Sequence, residues 1–241
     1  MAVAVFFLLK FAVRCIYIMN YFLPILAVIS GFVFVWVFRP EKQKNFRLLL
    51  AFSGAFLLSL TVFSMLPEIY NSEDNGKIGI FILLGVLLQL ILEFFSKGVE
   101  HGHAHFHNTG PVFPWLIFIS LCVHSLLEGF PVHHHPQLLY GIVIHKLPVA
   151  VILSMFLLRA SIKKRYIVIF FTLFSLMTPA GTWLAEQYAF PEEYTRRLSA
   201  LVAGIFLHVS TVILFETSEG HRFRTGKLMV MFIGATLAYL I

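Results

Sequence analysis

Charge is scarce in this chain. Only 12% of its 241 residues are Asp, Glu, Lys or Arg, against roughly 25% in an ordinary soluble domain. Cysteine is scarcer still. Cys15 and Cys122 both lie inside apolar runs, so no disulfide framework is implied and the redox compartment is undetermined. Aspartate is absent from the apolar runs, and no H-E-x-x-H pair occurs anywhere. What the chain holds in excess is apolar: 59% hydrophobic, 16% aromatic, with a mean hydropathy of +0.86. At about 20 residues per crossing, eight membrane helices need roughly 160 residues, and the apolar runs supply them. A soluble globular domain, a disordered tail and a nucleic-acid-binding module are excluded. The 18 Lys and Arg against 12 Asp and Glu would suggest nucleic acid in a soluble protein; here they are charges that hold loops on one side of a bilayer. The composition predicts an all-α polytopic membrane protein whose first partner is lipid.

Apolar runs lie at 21–38, 48–66, 78–95, 112–131, 138–158, 166–185, 198–215 and 228–241. Each must be helical, because lipid satisfies no exposed backbone and the runs are too long for barrel strands. The last, about 21 Å at 1.5 Å per residue, must start earlier or end shallow. A less regular run at 2–18 is interrupted by Lys10 and Arg14, the wrong order of charge for a signal peptide. Three readings stay open for it: an extra helix against the bundle, an interfacial amphipathic helix, or an over-extended start ahead of Met19. Residues 1–19 are accordingly set apart as an N-terminal hydrophobic segment, and 20–241 form one transmembrane unit.

Lys and Arg alternate between the two ends of the eight runs. One end collects twelve, among them Arg39, Lys42, Lys44 and Arg47, then Arg159, Lys163, Lys164 and Arg165; the other collects Lys77, Arg196 and Arg197. The rich end is expected to be cytoplasmic. The second and seventh runs also align at a constant offset of 150, with Gly54/Gly204, Phe56/Phe206, Leu57/Leu207, Thr61/Thr211 and Val62/Val212. One runs inward to outward and the other the reverse, the geometry of an inverted repeat in a transporter. Helices 1–3 and 6–8 then pair as halves, with helices 4 and 5 between them.

Those two helices hold the chemistry. The fourth reads His124-Ser125-Leu126-Leu127-Glu128-Gly129-Phe130-Pro131, and its His124 and Glu128, at i,i+4, share a face about 6 Å apart. The fifth reads His145-Lys146-Leu147-Pro148. A charge at the membrane centre costs about 2.5–3.5 kcal/mol, so Glu128 and Lys146 need partners, and the simplest are each other and a metal ion. Imidazole and carboxylate suit Zn²⁺, Fe²⁺ and Mn²⁺; sulfur ligands for Cu(I) are not offered. Pro131 cannot donate to the Leu127 carbonyl, nor Pro148 to that of Ile144, so both helices are expected to kink and free a carbonyl.

The fourth-helix HSLLEG and the fifth-helix HK-x-P resemble the intramembrane metal-site signatures of the ZIP family of divalent metal transporters. Leu66-Pro67-Glu68, the histidine-rich stretch after the third run and Ala203-Gly204-Ile205-Phe206-Leu207 add to the likeness, which covers residues 20–241. The resemblance implies eight helices in a 3+2+3 arrangement, metal influx to the cytoplasm and elevator-like alternating access. It implies His124, Glu128 and His145 as ligands, with Ser125 where Asn or Ser is usual. Many members carry Glu where this chain has Lys146, and a second histidine where it has Val149; one subfamily resembles it in having lysine. These departures favour a mononuclear centre in which the Lys146 ammonium supplies charge that a second ion supplies elsewhere. No prosthetic group is implied beyond the transported ion, Zn²⁺ first among the candidates.

His101, His103, His105 and His107 alternate with small or apolar residues in a loop at about 96–111, a composition that binds zinc-like metals. This loop is expected on the cytoplasmic side as an auxiliary metal-binding segment. His133-His134-His135 sits at the opposite end, where it could gather metal before entry. Gln89, Glu93, Glu216, Glu219 and His221 read more readily as solvated helix ends than as an exit path, and His208 is ambiguous. Two rival functions are weighed: a metal-dependent intramembrane hydrolase and a non-transporting metal sensor. The missing H-E-x-x-H and membrane aspartate count against the first, the repeat and the polar groups spread through the membrane depth against the second. A homodimer is kept among the partners. The compact loops suit a bacterial inner membrane.

Overall fold

A backbone N–H or C=O finds no partner in lipid, so an apolar run enters it only with hydrogen bonds closed along the chain. The computed structural model describes residues 2–40, 44–71, 75–96, 113–133, 135–160, 162–188, 190–216 and 225–241, and all regular structure among them is helical. In chain order the α-helices are α1 (Ala2–Phe38), α2 (Lys44–Leu60), α3 (Leu66–Tyr70), α4 (Asn75–Ser96), α5 (Trp115–Gly129), α6 (Leu138–Arg159), α7 (Lys164–Gln187), α8 (Glu192–Glu216) and α9 (Thr225–Tyr239). A π-turn, Thr61–Met65, joins α2 to α3 as one crossing, and a 3₁₀ turn, Phe130–His133, extends α5. Among the described residues seven segments are long and apolar enough to cross a bilayer, and α9 is a shorter apolar helix. The protein is an all-α integral membrane protein. The last helix starts at Thr225, ahead of its apolar run.

Residues 2–17 are helical and continuous with the span Ile18–Phe38. α1 is one helix of 37 residues, about 55 Å long, and its backbone passes Lys10 and Arg14 without a break. That length exceeds the roughly 30 Å hydrocarbon core of a bilayer.

The helices sort into two groups by their packing. α1, α5, α6 and α7 pack on one another, chiefly as α1 on α6, α5 on α7 and α1 on α7; α2, α3, α4, α8 and α9 form the second group, chiefly as α4 on α8 and α2 on α9. The first group has its own core, in which Val28, Leu121, Leu153 and Phe171 meet. Between the groups lies an apolar seam where Leu50, Val149, Ile152, Ile205, Val209 and Ile213 cluster.

The pairing repeats itself. Exchanging the first three crossings for the last three, and α5 for α6, turns α1 on α6 into α7 on α5, and α2 on α9 into α8 on α4, all principal contacts. Glycines mark the equivalent crossings. A Cβ on Gly31 would lie 3.1 Å from the Leu147 carbonyl oxygen of α6, and one on Gly181, at the same offset of 150, would lie 2.0 Å from the Leu126 oxygen of α5. Helices this close need the missing side chain, as small-residue interfaces in membranes do.

Candidate metal centre

The fourth crossing turns one polar stripe inward: His124, Ser125, Glu128 and Gly129 of α5 are all buried. Gly129 lets α7 approach, since a Cβ there would fall 2.2 Å from the Thr178 carbonyl oxygen. With the backbones this near, the Thr178 hydroxyl donates to Glu128 Oε1 at 2.7 Å, and the Thr182 hydroxyl donates to the Gly129 carbonyl at 3.0 Å. From α6, Lys146 Nζ lies 2.5 Å from the same Glu128 Oε1 and donates to Ser125 Oγ at 2.8 Å. It also sits 4.7 Å from the centre of the Phe174 ring. The ammonium has three protons, and a carboxylate, a hydroxyl and an aromatic face stand around it. Glu128 is 1% exposed and Lys146 2%, so this is a buried ion pair, whose attraction offsets desolvation only with such additional contacts.

His124 is held from the second helix group. Its Nδ1 lies 3.0 Å from Gln89 Oε1 of α4, and its Nε2 lies 3.6 Å from Glu128 Oε2. The amide oxygen and the carboxylate thus hold the imidazole from its two nitrogens. This orientation by a carbonyl on the far nitrogen is what metal-ligating histidines receive. His145 is buried in the same wall, and His124, Ser125, Glu128, His145 and Lys146 all line one cavity of about 10 Å³, the size of a single water.

The expected ligands are therefore gathered but not poised. Among the described residues no three His, Cys, Asp or Glu side chains stand close enough together to hold a metal ion. One physical reason is visible: an oxygen of Glu128 is taken by Lys146 and Thr178, and His124 is drawn toward Gln89. An entering cation must compete with the ammonium for the carboxylate.

The two prolines sit in different settings. Pro131 falls in the 3₁₀ turn, where the Phe130 N–H takes the Leu127 carbonyl that proline cannot serve, so that carbonyl is not freed. Pro148 is accommodated inside α6, which runs on to Arg159.

Two expectations about the polar groups nearer the basic end are corrected. Gln89 is fully buried beside His124, and Glu93 Oε2 meets His208 Nε2 at 2.6 Å between α4 and α8. Neither is a solvated helix end: Gln89 packs against His124 of α5, and the part-buried Glu93 pairs with His208 of α8. At the opposite end the histidine triplet is split. His133 lies 3.6 Å from Glu186, which also accepts from the Tyr21 hydroxyl at 2.5 Å, while His135 Nδ1 lies 2.9 Å from Glu68 Oε2. Burial pushes the His135 imidazole below its ordinary value, against the upward pull of Glu68. His135 and Glu68 border a cavity of about 410 Å³ with Asn71 and Glu192. His134, the loop histidines His101, His103, His105 and His107, and Glu219 and His221 lie outside the described residues.

Sequence reasoning missed Thr178 and Phe174, and did not connect Gln89 to His124. A polar Thr178 beside Pro179 in an apolar run was a signal for the first; Phe174, one of 27 phenylalanines, carried none.

Residues 98–241 match the model of the ZIP zinc transporter family. The zinc transporter ZIP1 of Danio rerio is 25% identical over 122 residues, 46% of this chain and 40% of that protein. The zinc transporter ZIP1 of Homo sapiens is 23% identical over 253 aligned positions, 82% of this chain and 78% of that protein. The chain thus matches less than half the length of the first relative and most of the second.

Proposed function

This chain belongs to the ZIP zinc transporter family, and we propose that it moves a divalent metal ion into the cytoplasm, Zn²⁺ first among the ions its donors suit. His124, Glu128 and His145 are the ligands, with Ser125 as a weaker oxygen donor. The observation that carries this reading is the buried Glu128, held by an ammonium beside an imidazole already oriented by Gln89. Such a centre tolerates two occupants of like charge in turn. When the metal leaves, Lys146 returns to the carboxylate, and the site is never left with a bare buried anion. Carriage rather than hydrolysis is favoured by family membership.

The division of the helices supports movement of one group against the other. Glu128, Lys146, Thr178, Phe174 and His145 all belong to the α1, α5, α6, α7 group, whereas Gln89 belongs to the other. The seam between them is largely apolar and can slide without stranding many polar groups. In an elevator-like step the first group carries the metal past Gln89, toward Glu93 and His208 at the basic end.

The test is uptake into vesicles reconstituted with purified protein, followed for Zn²⁺ alone and with Fe²⁺ or Mn²⁺ as competitor. Saturable Zn²⁺ entry is expected, reduced by whichever competitor shares the site. Binding without entry would leave the sensor reading in its place. The histidine loop is expected to tune transport. Replacing His101, His103, His105 and His107 together by serine should leave uptake measurable with a changed apparent affinity; complete loss in correctly inserted protein would put the loop in the main pathway.

A further inference from the structure

At the basic end, away from the metal centre, α1, α6 and the start of α7 enclose a cavity of about 330 Å³. Three cations line it, Arg39, Arg159 and Lys164, and no carboxylate does among the described residues. Each cation is set in place by something else. Arg39 follows the last turn of α1 with φ at +44°, a left-handed backbone that few residues other than glycine adopt. It closes the helix through its N–H to the Val35 carbonyl at 3.0 Å. The common residue for such a helix end is glycine, so an arginine there tolerates strain to put a guanidinium at this spot. Arg159 donates to the Pro40 carbonyl at 3.3 Å, and Lys164 Nζ lies 5.4 Å from the centre of the Trp36 ring. The rest of the wall is apolar, from Val35 and Met155, and Val37 and Phe38 beside it are exposed large hydrophobics.

We propose that this cavity binds the phosphate headgroup of an anionic phospholipid, with its acyl chains along the exposed apolar end of α1. Basic pockets between transmembrane helices suit such headgroups, because the phosphate meets several donors while the chains stay in lipid. The guanidinium groups of Arg39 and Arg159 match phosphate oxygens with paired N–H donors, and Lys164 adds a point charge. A free phosphate ion would meet the same cations but gain nothing from the apolar wall, so the lipid is the occupant. The site is distinct from the metal centre, since Lys146 and Arg159 are separated along α6 by about 20 Å.

Purified full-length protein in detergent is mixed in turn with phosphatidylglycerol, phosphatidylcholine and inorganic phosphate, and retained ligand is counted by native mass spectrometry alongside thermal unfolding. Phosphatidylglycerol is expected to be retained near one per chain and to raise the melting temperature, with neither phosphatidylcholine nor phosphate doing so. The triple variant Arg39→Gln, Arg159→Gln, Lys164→Gln should lose that retention by about tenfold or more. A control triple, Arg47→Gln, Lys163→Gln, Arg165→Gln, removes the same charge outside the cavity and should keep it. Equal loss in both triples, or no preference for phosphatidylglycerol in the wild type, overturns the proposal. Stabilisation by phosphate equal to that by the lipid overturns the lipid as occupant. Should the cavity triple not fold, Lys164→Gln alone, which removes a charge without touching the strained turn, must still weaken retention.

Discussion

Vesicles carrying Glu128→Ala are expected to take up no more Zn²⁺ than empty ones, and His124→Ala and His145→Ala to lie close to that floor. Glu128 has the largest effect because it does two things. Among the described residues it is the only carboxylate in the wall of the cavity, and it balances Lys146 at 2.5 Å. Removing one partner of a buried ion pair costs about 3–5 kcal/mol, since the other charge is left without compensation. Glu128→Ala should therefore lower stability as well as uptake. Combining Glu128→Gln with Lys146→Met removes both charges and should restore much of the stability while transport stays absent. Thermal unfolding and uptake measured on the same preparations separate the two roles. Near-normal transport in any two of the three alanine variants would overturn the ligand assignment.

Lys146→Met should bind metal more tightly and release it more slowly. The ammonium is the ion a metal must displace from Glu128, and a methionine keeps similar length without the charge. With that competitor gone, affinity is expected to rise by about 10–100-fold, or roughly 1.4 kcal/mol for each factor of ten. Without metal the variant leaves Glu128 as the uncompensated charge, so its melting temperature should depend on Zn²⁺ far more than that of the wild type. Lys146→Glu changes the sign of the charge and should raise the number of metal ions bound per protein. Calorimetry and metal counting on purified variants provide the readout. Unchanged affinity and stoichiometry in both would mean that the ammonium takes no part in metal exchange.

Much of this was legible in the chain itself, for identifiable reasons. Seven crossings and a shorter apolar helix, among the described residues, follow from apolar length, because lipid makes helix compulsory wherever a run is long enough. His124 and Glu128 could be placed on one face by counting, and Glu128 was the natural partner for Lys146. What could not be counted was reach between helices. Thr178 lies 50 positions from Glu128, and only the glycine crossing of α5 and α7 brings the two together. Gln89 and Glu93 resembled helix ends because they stand late in an apolar run, and only the packing of α4 on α5 and α8 covers them. Pro131 was expected to open the helix, and a 3₁₀ turn closed it instead; a proline removes one donor but does not dictate which neighbour replaces it.

The π-turn at Thr61–Met65 puts the spelling of the second crossing out of step with its geometry. A π-turn takes in one residue more than a regular turn, so a count at 3.6 residues per turn misjudges the bearing of everything beyond it by about 100°. Glu68, which meets His135 from that far segment, would be assigned to the wrong side of the rod by such a count. Loss of one residue inside the wide turn would let it tighten to ordinary helix with both flanks still facing their neighbours. The same loss a few residues earlier would swing the whole outer tip round its axis. This segment can therefore absorb a change in length that the rest of the crossing cannot.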